Sequence, residues 1–169
     1  MAGPWWQAAI FLAVVAASTA LGLAAGFGWA AVAPRPLLVM TGKGMANLVN
    51  SETGAFISAD ASFALICLAG GVITGLLGYL FAVKRHGPAA MAGVLAGAVA
   101  AAFAARWVGE QSGLGTFHHL MATLPVGAHL RDALTLGAGS ALTFWPLAAG
   151  LMAGGMVLYA SPRRPAATP

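Results

Sequence analysis

Charge is what this sequence has least of. Of its 169 residues, 7% are charged, against roughly 25% in a soluble domain. That composition excludes an ordinary water-exposed globule and points to a membrane protein. Cysteine is nearly absent too. Cys67 stands alone in an apolar run, so an intrachain disulfide, a CxxC redox pair and a thiolate metal cluster are all excluded, and its reading is a small buried hydrophobe. Carboxylates are scarce: Glu52, Asp60, Glu110 and Asp132 are the whole set. None lies within an apolar run, which leaves proton-coupled exchange across a membrane without a carrier. The phosphate-binding loop, the GxSxG elbow and the HExxH zinc motif are missing as well, so no catalytic residue, metal ligand or cofactor is expected. A formal charge of +4 would suit nucleic acid, but the eight Lys and Arg are scattered without a basic stripe interleaved with aromatics. Nucleic-acid binding is excluded on that ground.

What is present is four apolar runs, about 5–33, 61–83, 88–109 and 133–160, each long enough to cross a bilayer. The first lacks an amino-terminal Lys or Arg, is longer than a signal-peptide core, and is followed by Pro34 directly after Ala31-Val32-Ala33. It reads as a retained span. Trp5, Trp6 and Trp29 fit aromatic belts at its two interfaces. Pro34-Arg35-Pro36 stops it. Two short apolar runs, Leu37–Thr41 and Met45–Val49, flank Gly42-Lys43-Gly44 and read as a β-hairpin with a three-residue loop. Asn50-Ser51-Glu52-Thr53 reads as capping chemistry for a short helix through Ala55-Phe56-Ile57, and Ser58 and Asp60 as caps for the second span.

Lys84-Arg85-His86-Gly87-Pro88 is a tight turn between the second and third spans. The stretch from Glu110 to Asp132 is a polar loop carrying His118, His119 and His129. Pro146 lies within the fourth run and predicts a kink there, because it cannot donate to the carbonyl of Leu142. Residues 161–169 read as a disordered tail. The expected fold is therefore an all-α membrane protein, one domain over residues 1–169. It is a bundle of four transmembrane helices with a small extracytoplasmic β-hairpin between helices 1 and 2. Outer loops span 34–60 and 110–132. Lys84, Arg85, Arg163 and Arg164 share one side in short segments, so the positive-inside rule puts both termini in the cytoplasm.

Each span carries a pair of glycines four apart: Gly22 and Gly26, Gly71 and Gly75, Gly93 and Gly97, Gly150 and Gly154. Such pairs make smooth grooves for close helix packing, within the chain or between copies. Arg106 is the one charge inside an apolar run, with Glu110 one turn away on the same face. The pair either marks a ligand site or lies at the outer interface, with Arg106 directed to the outer leaflet; the interfacial arrangement is expected. His118 and His119 are candidate ligands, although neighbours in sequence point to different sides of a helix and no metal spacing is present.

Gly28-Trp29 before Ala33-Pro34, the run Glu52-Thr53-Gly54-Ala55-Phe56-Ile57-Ser58-Ala59-Asp60, Gly70-Gly71, Arg85-His86-Gly87-Pro88, Val108-Gly109 and Trp145-Pro146 occur in this order. Together they resemble a family of small actinobacterial membrane proteins classed as a domain of unknown function. The resemblance covers about residues 22–149. It implies four helices with an extracytoplasmic hairpin loop, and it implies no activity. The expected function is a non-enzymatic integral membrane protein of the cell envelope, an interaction or accessory component. Its partners would be the lipid bilayer and either a second copy or another membrane protein. The alternative is a ligand-binding or transport protein that holds an anionic lipid headgroup or solute with Arg106 and the outer loops.

Overall fold

The computed structural model describes residues 4–50 and 54–160. Helix α1 spans Pro4–Val32 and ends at the Pro34-Arg35-Pro36 stop, as proline geometry requires. Strands β1 (Leu37–Gly42) and β2 (Met45–Leu48) follow as an antiparallel hairpin. Its loop is shorter than the glycine spacing suggested. Lys43-Gly44 makes the turn, with Gly44 at φ +70°, and the register shift between Met40 and Gly42 leaves Thr41 as a bulge.

Helix α2 begins at Ala55, not at Ala61, and runs to Gly78. The expected short helix and the second span are one element, and Ser58 and Asp60 lie inside it instead of capping it. The expected role of Ser51-Glu52-Thr53 lies outside the described residues. α2 continues through a π-helical turn, Tyr79–Val83, and a last helical piece, α3 (Lys84–His86). The reversal itself is made at Gly87 (φ +65°), and Pro88 opens α4 (Pro88–Gln111) at a position where its missing N–H is no loss.

Past α4 the chain departs most from the sequence reading. Glu110 to Asp132 is no simple loop: it contains helix α5 (Leu114–Thr123) and strand β3 (His129–Arg131). β3 pairs antiparallel with β1, setting Leu38 opposite Leu130, and the hairpin becomes a three-stranded sheet of order β2-β1-β3. Leu38, Met40 and Leu130 are buried on one face of that sheet, against Phe117, Leu120 and Met121 from α5 and Leu124 just past it. The two loops thus fold together as a cap with its own small core.

The fourth apolar run is likewise not one helix. Residues 133–138 form neither helix nor strand and bend at Gly137, a 3-10 turn covers Gly139–Thr143, and α6 runs Phe144–Ala160. Pro146 is therefore the third residue of α6, in the first turn, where an N–H has no partner within the helix. It starts a helix instead of kinking one.

Four of the helical stretches are long and apolar enough to cross a membrane. They pack as two intimate pairs, α1 with α4 and α2 with α6, with α4 also touching α6. The pairing follows the small residues. Gly22 abuts the backbone of Ala101, Gly26 that of Ala105, Gly93 that of Phe11, and Gly97 the Ser18 side chain and the backbone of Val15. Gly71 and Gly75 lie against Trp145 and Ala149 of α6. The fourth pair behaves differently: Gly150 meets only the tip of Leu95, and Gly154 faces open space.

Between the helices, the large side chains that are fully buried are few, and Trp29 and Trp145 lead them. Trp29 was expected in an interfacial belt, beside Trp5 and Trp6. Those two are exposed, but Trp29 is 0% exposed, its ring edge-on to Phe63 at 4.7 Å and its Nε1–H donated to the Ala59 carbonyl at 3.0 Å. Gly109 gives it room. Trp145 lies over Gly70 and donates to Thr74 Oγ1 at 3.1 Å.

Because the cap has its own core, it should loosen independently of the bundle. Leu130→Ala should cost about 2–4 kcal/mol locally. Hydrogen exchange should then quicken at Met40 and Asp132, whose amides bond Ala128 and Pro36 across the cap, and stay unchanged in α4.

Candidate functional site

The polar groups of the described residues concentrate where the cap meets the helix ends. α1 and α4 finish there, whereas α2 and α6 start there. Helix ends leave carbonyls and N–H groups without internal partners and carry partial charges, negative at C-termini and positive at N-termini.

Arg35, between the two prolines, answers the first need. Its Nη2 donates to the Ala30 carbonyl at 3.2 Å, at the end of α1, and to the Ser112 carbonyl at 3.4 Å, just past α4. One cation thus closes two helix C-termini. Asp60 answers the second. Its carboxylate accepts the N–H of Gly137 at 2.9 Å and of Ala138 at 2.8 Å, immediately before the 3-10 turn that leads into α6. Asp60 is itself the sixth residue of α2, so it ties the second turn of that helix to the entry of α6.

Glu110 sits where a carboxylate is least welcome, in the last turn of α4. Two partners offset this. Arg106 Nε donates to Glu110 Oε1 at 3.0 Å, one turn earlier on the same face, and the Leu136 N–H donates to the same oxygen at 3.1 Å. The side chains of Arg106 and Glu110 are 38% and 28% exposed, so the pair lies at the edge of the bundle and not in its core. The expectation of salt-bridge reach holds.

Leu136, Gly137 and Ala138 are consecutive, and Glu110 and Asp60 hold all three of their N–H groups. Segment 133–138 pairs with no strand among the described residues, and carboxylates take up these N–H groups. The segment buries Leu134 and Leu136. The chemistry of the site is thus a clamp: two carboxylates fix the entry to α6, and one guanidinium fixes the exits of α1 and α4.

His118 and His119 do not join it. Both are exposed on α5, with His118 tilted against Phe117 at 6.0 Å. His129 is exposed on β3. Among the described residues, no three His, Cys, Asp or Glu come together as a metal site. Arg35 and Asp60 are the functional groups that sequence reasoning missed. The signal for Arg35 was its place between two helix-stopping prolines. The partners of Asp60 are 77 and 78 residues away, beyond any local pattern.

The clamp separates charge from acceptor capacity, and paired substitutions tell them apart. Asp60→Asn keeps one accepting oxygen but sets an NH2 donor against the second N–H, so it should lose about 1 kcal/mol or more, and Asp60→Ala, which orphans both N–H groups, should lose about 1–3 kcal/mol. Arg106→Gln and Glu110→Gln should each change stability by about 0–1 kcal/mol, with a coupling energy below about 1 kcal/mol in the double-mutant cycle, as for a part-exposed ion pair. Thermal unfolding in mild detergent measures all of them. No protein-family model matches the chain, and neither a curated protein nor a solved structure is similar to it.

Proposed function

We propose that the chain is a multi-pass integral membrane protein of the cell envelope, with both termini and Lys84-Arg85-His86 in the cytoplasm and the cap outside. In this reading it is a non-enzymatic component that uses the cap to engage another envelope protein or a second copy. The likeness to the actinobacterial membrane family over residues 22–149 belongs to the same proposal and adds no activity to it.

The observation that carries the reading is the open edge of the cap. β2 lies at one side of the sheet with its outer backbone unpaired by another strand, in a sheet anchored by β3 and α5. A supported edge strand is a template for strand addition by a partner. Apolar side chains at its two ends, Met45 at 63% and Val49 at 50% exposed, would add contact area to such a pairing. The alternative of an anion site at Arg106 is weaker, because Glu110 already neutralises that charge and is itself tied to Leu136.

Two measurements test the proposal. Cys67 is buried and gives a silent background for labelling. An impermeant maleimide should therefore label Lys43→Cys in intact cells and His86→Cys only after permeabilisation; the reverse pattern would invert the orientation. For the function, a photo-crosslinking residue at Asn47 on β2 should yield a discrete protein adduct in native membranes, and one at Gln7 should not. A protein that stays monomeric in mild detergent and forms no adduct from the β2 edge would refute the interaction role.

A further inference from the structure

The end of the bundle opposite the cap has a different character. A groove of about 970 Å³ opens there, between the π-helical turn, the first half of α4 and the last turns of α6. Sequence makes this space in two ways. The π turn at Tyr79–Val83 widens the second helix where α6 runs beside it. Gly154 withholds a side chain, and a Cβ built on it meets nothing within 4 Å. Met91, Leu95 and Leu158 line the rest with apolar surface. The size matches pockets that hold a ligand of tens of heavy atoms.

Two polar features interrupt the apolar lining. Tyr79 lines the groove and is 7% exposed, yet among the described residues its hydroxyl has no hydrogen-bond partner. Among the described residues no buried side-chain N or O atom lacks a partner, so this hydroxyl is accessible, and an acceptor on a ligand in the groove can bond it. Lys84 lines the same groove, and exposed Arg85 follows it. Among the described residues the one salt bridge is Arg106–Glu110, so neither cation is neutralised by a carboxylate.

We infer that this groove binds one anionic diacyl phospholipid. An acyl chain lies along Met91, Leu95, Gly154 and Leu158, and the phosphate sits at Lys84 and accepts a hydrogen bond from the Tyr79 hydroxyl. The inference rests on the membrane reading, under which Lys84 and Arg85 lie at the cytoplasmic headgroup level, where anionic lipid is attracted to basic residues. Charge decides against a second copy as occupant. Two copies joined through this groove would bring two Lys84–Arg85 pairs together, and like charges across an interface disfavour it. The site is at the other end of the molecule from Arg106, so it is distinct from the anion site considered there.

The test uses the full chain, reconstituted in phosphatidylcholine nanodiscs and then released into mild detergent for native mass spectrometry. Phosphatidylglycerol and phosphatidylcholine serve as competing probes. One phosphatidylglycerol should be retained preferentially, and Lys84→Gln should weaken that preference about fivefold, the effect of one basic residue near an anionic headgroup. Tyr79→Phe should weaken it less. Gly154→Leu fills the groove without touching the core and should reduce retention of both lipids, whereas Lys43→Gln, on the cap, should change nothing. Equal retention of the two lipids, or binding unaltered by Gly154→Leu, would overturn the site. Displacement of phosphatidylglycerol by glycerol 3-phosphate alone would assign a free anion instead. A change of oligomeric state in Gly154→Leu without lipid would assign a second copy. Failure of the chain to enter nanodiscs at all would refute the membrane reading itself, a separate outcome.

Discussion

Where Gly22 and Gly26 of α1 meet Ala101 and Ala105 of α4, no side chain separates the two helices. A methyl group built on Gly26 would lie 2.5 Å from the Ala105 carbonyl oxygen, and one on Gly22 would collide with Ala101. The same holds for Gly71 and Gly75 on α2, whose missing methyls would lie 2.5 Å from the carbonyls of Trp145 and Ala149 in α6. Backbone-to-backbone approach of this kind draws on dispersion and weak Cα–H···O contacts along the whole seam, which suits helices that lack strongly amphipathic faces. With α1 locked to α4 and α2 to α6, Trp29 reaches from the first pair to Ala59 and Phe63 of the second, and Trp145 fills the seam of α6 with α2. Each of these rings is aimed by one hydrogen bond to a neighbouring helix.

The close pairing dictates the polar end. It brings the C-termini of α1 and α4 side by side, and the N-termini of α2 and α6, so unsatisfied backbone groups of one sign cluster together. Arg35 between the first two and Asp60 between the second two are the matching counter-charges. Arg106, Glu110 and the segment 133–138 complete the arrangement. The scarce charges of the described bundle are thus mostly at the cap junction.

Much of this was legible in the residues. The first three apolar runs, the Pro34-Arg35-Pro36 stop, the hairpin and the i, i+4 spacing of Arg106 and Glu110 are local signals that the structure carries, whereas the fourth run is helical only from Gly139. α5 was legible in principle. Phe117, Leu120, Met121 and Leu124 recur at helical spacing between Gly113 and Pro125, but the polar His118-His119 pair in their midst suggested a loop. β3 was not legible, because three residues become a strand only through pairing with β1, about ninety positions back in the chain. The irregular segment 133–138 looked helical for a related reason. Leu134 and Leu136 are buried as a helix's residues would be, and the distant carboxylates of Asp60 and Glu110 take up the N–H groups of 136–138 that a helix would have paired. Trp29 shows the limit of composition: a tryptophan near the end of an apolar run suits an interfacial belt, and nothing local reveals that Gly109 leaves room for its ring in the core. Residues 161–169, with Arg163 and Arg164, lie outside the described structure, so the topology argument rests on Lys84 and Arg85 at the described turn.

The claim that backbone contact at glycine organises the fold is tested most directly by alanine substitution at each helical glycine, read as thermal unfolding in mild detergent. At the contact positions Gly22, Gly26, Gly71 and Gly75, the added methyl must force the helices apart and should lower stability by about 1–3 kcal/mol each. At Gly28, Gly154 and Gly155, where an added Cβ meets nothing within 4 Å, alanine should be neutral or stabilising by up to about 1 kcal/mol through its better helix propensity. Opposite signs at the two sets are the predicted result. The same response at both sets, in either direction, would contradict the account.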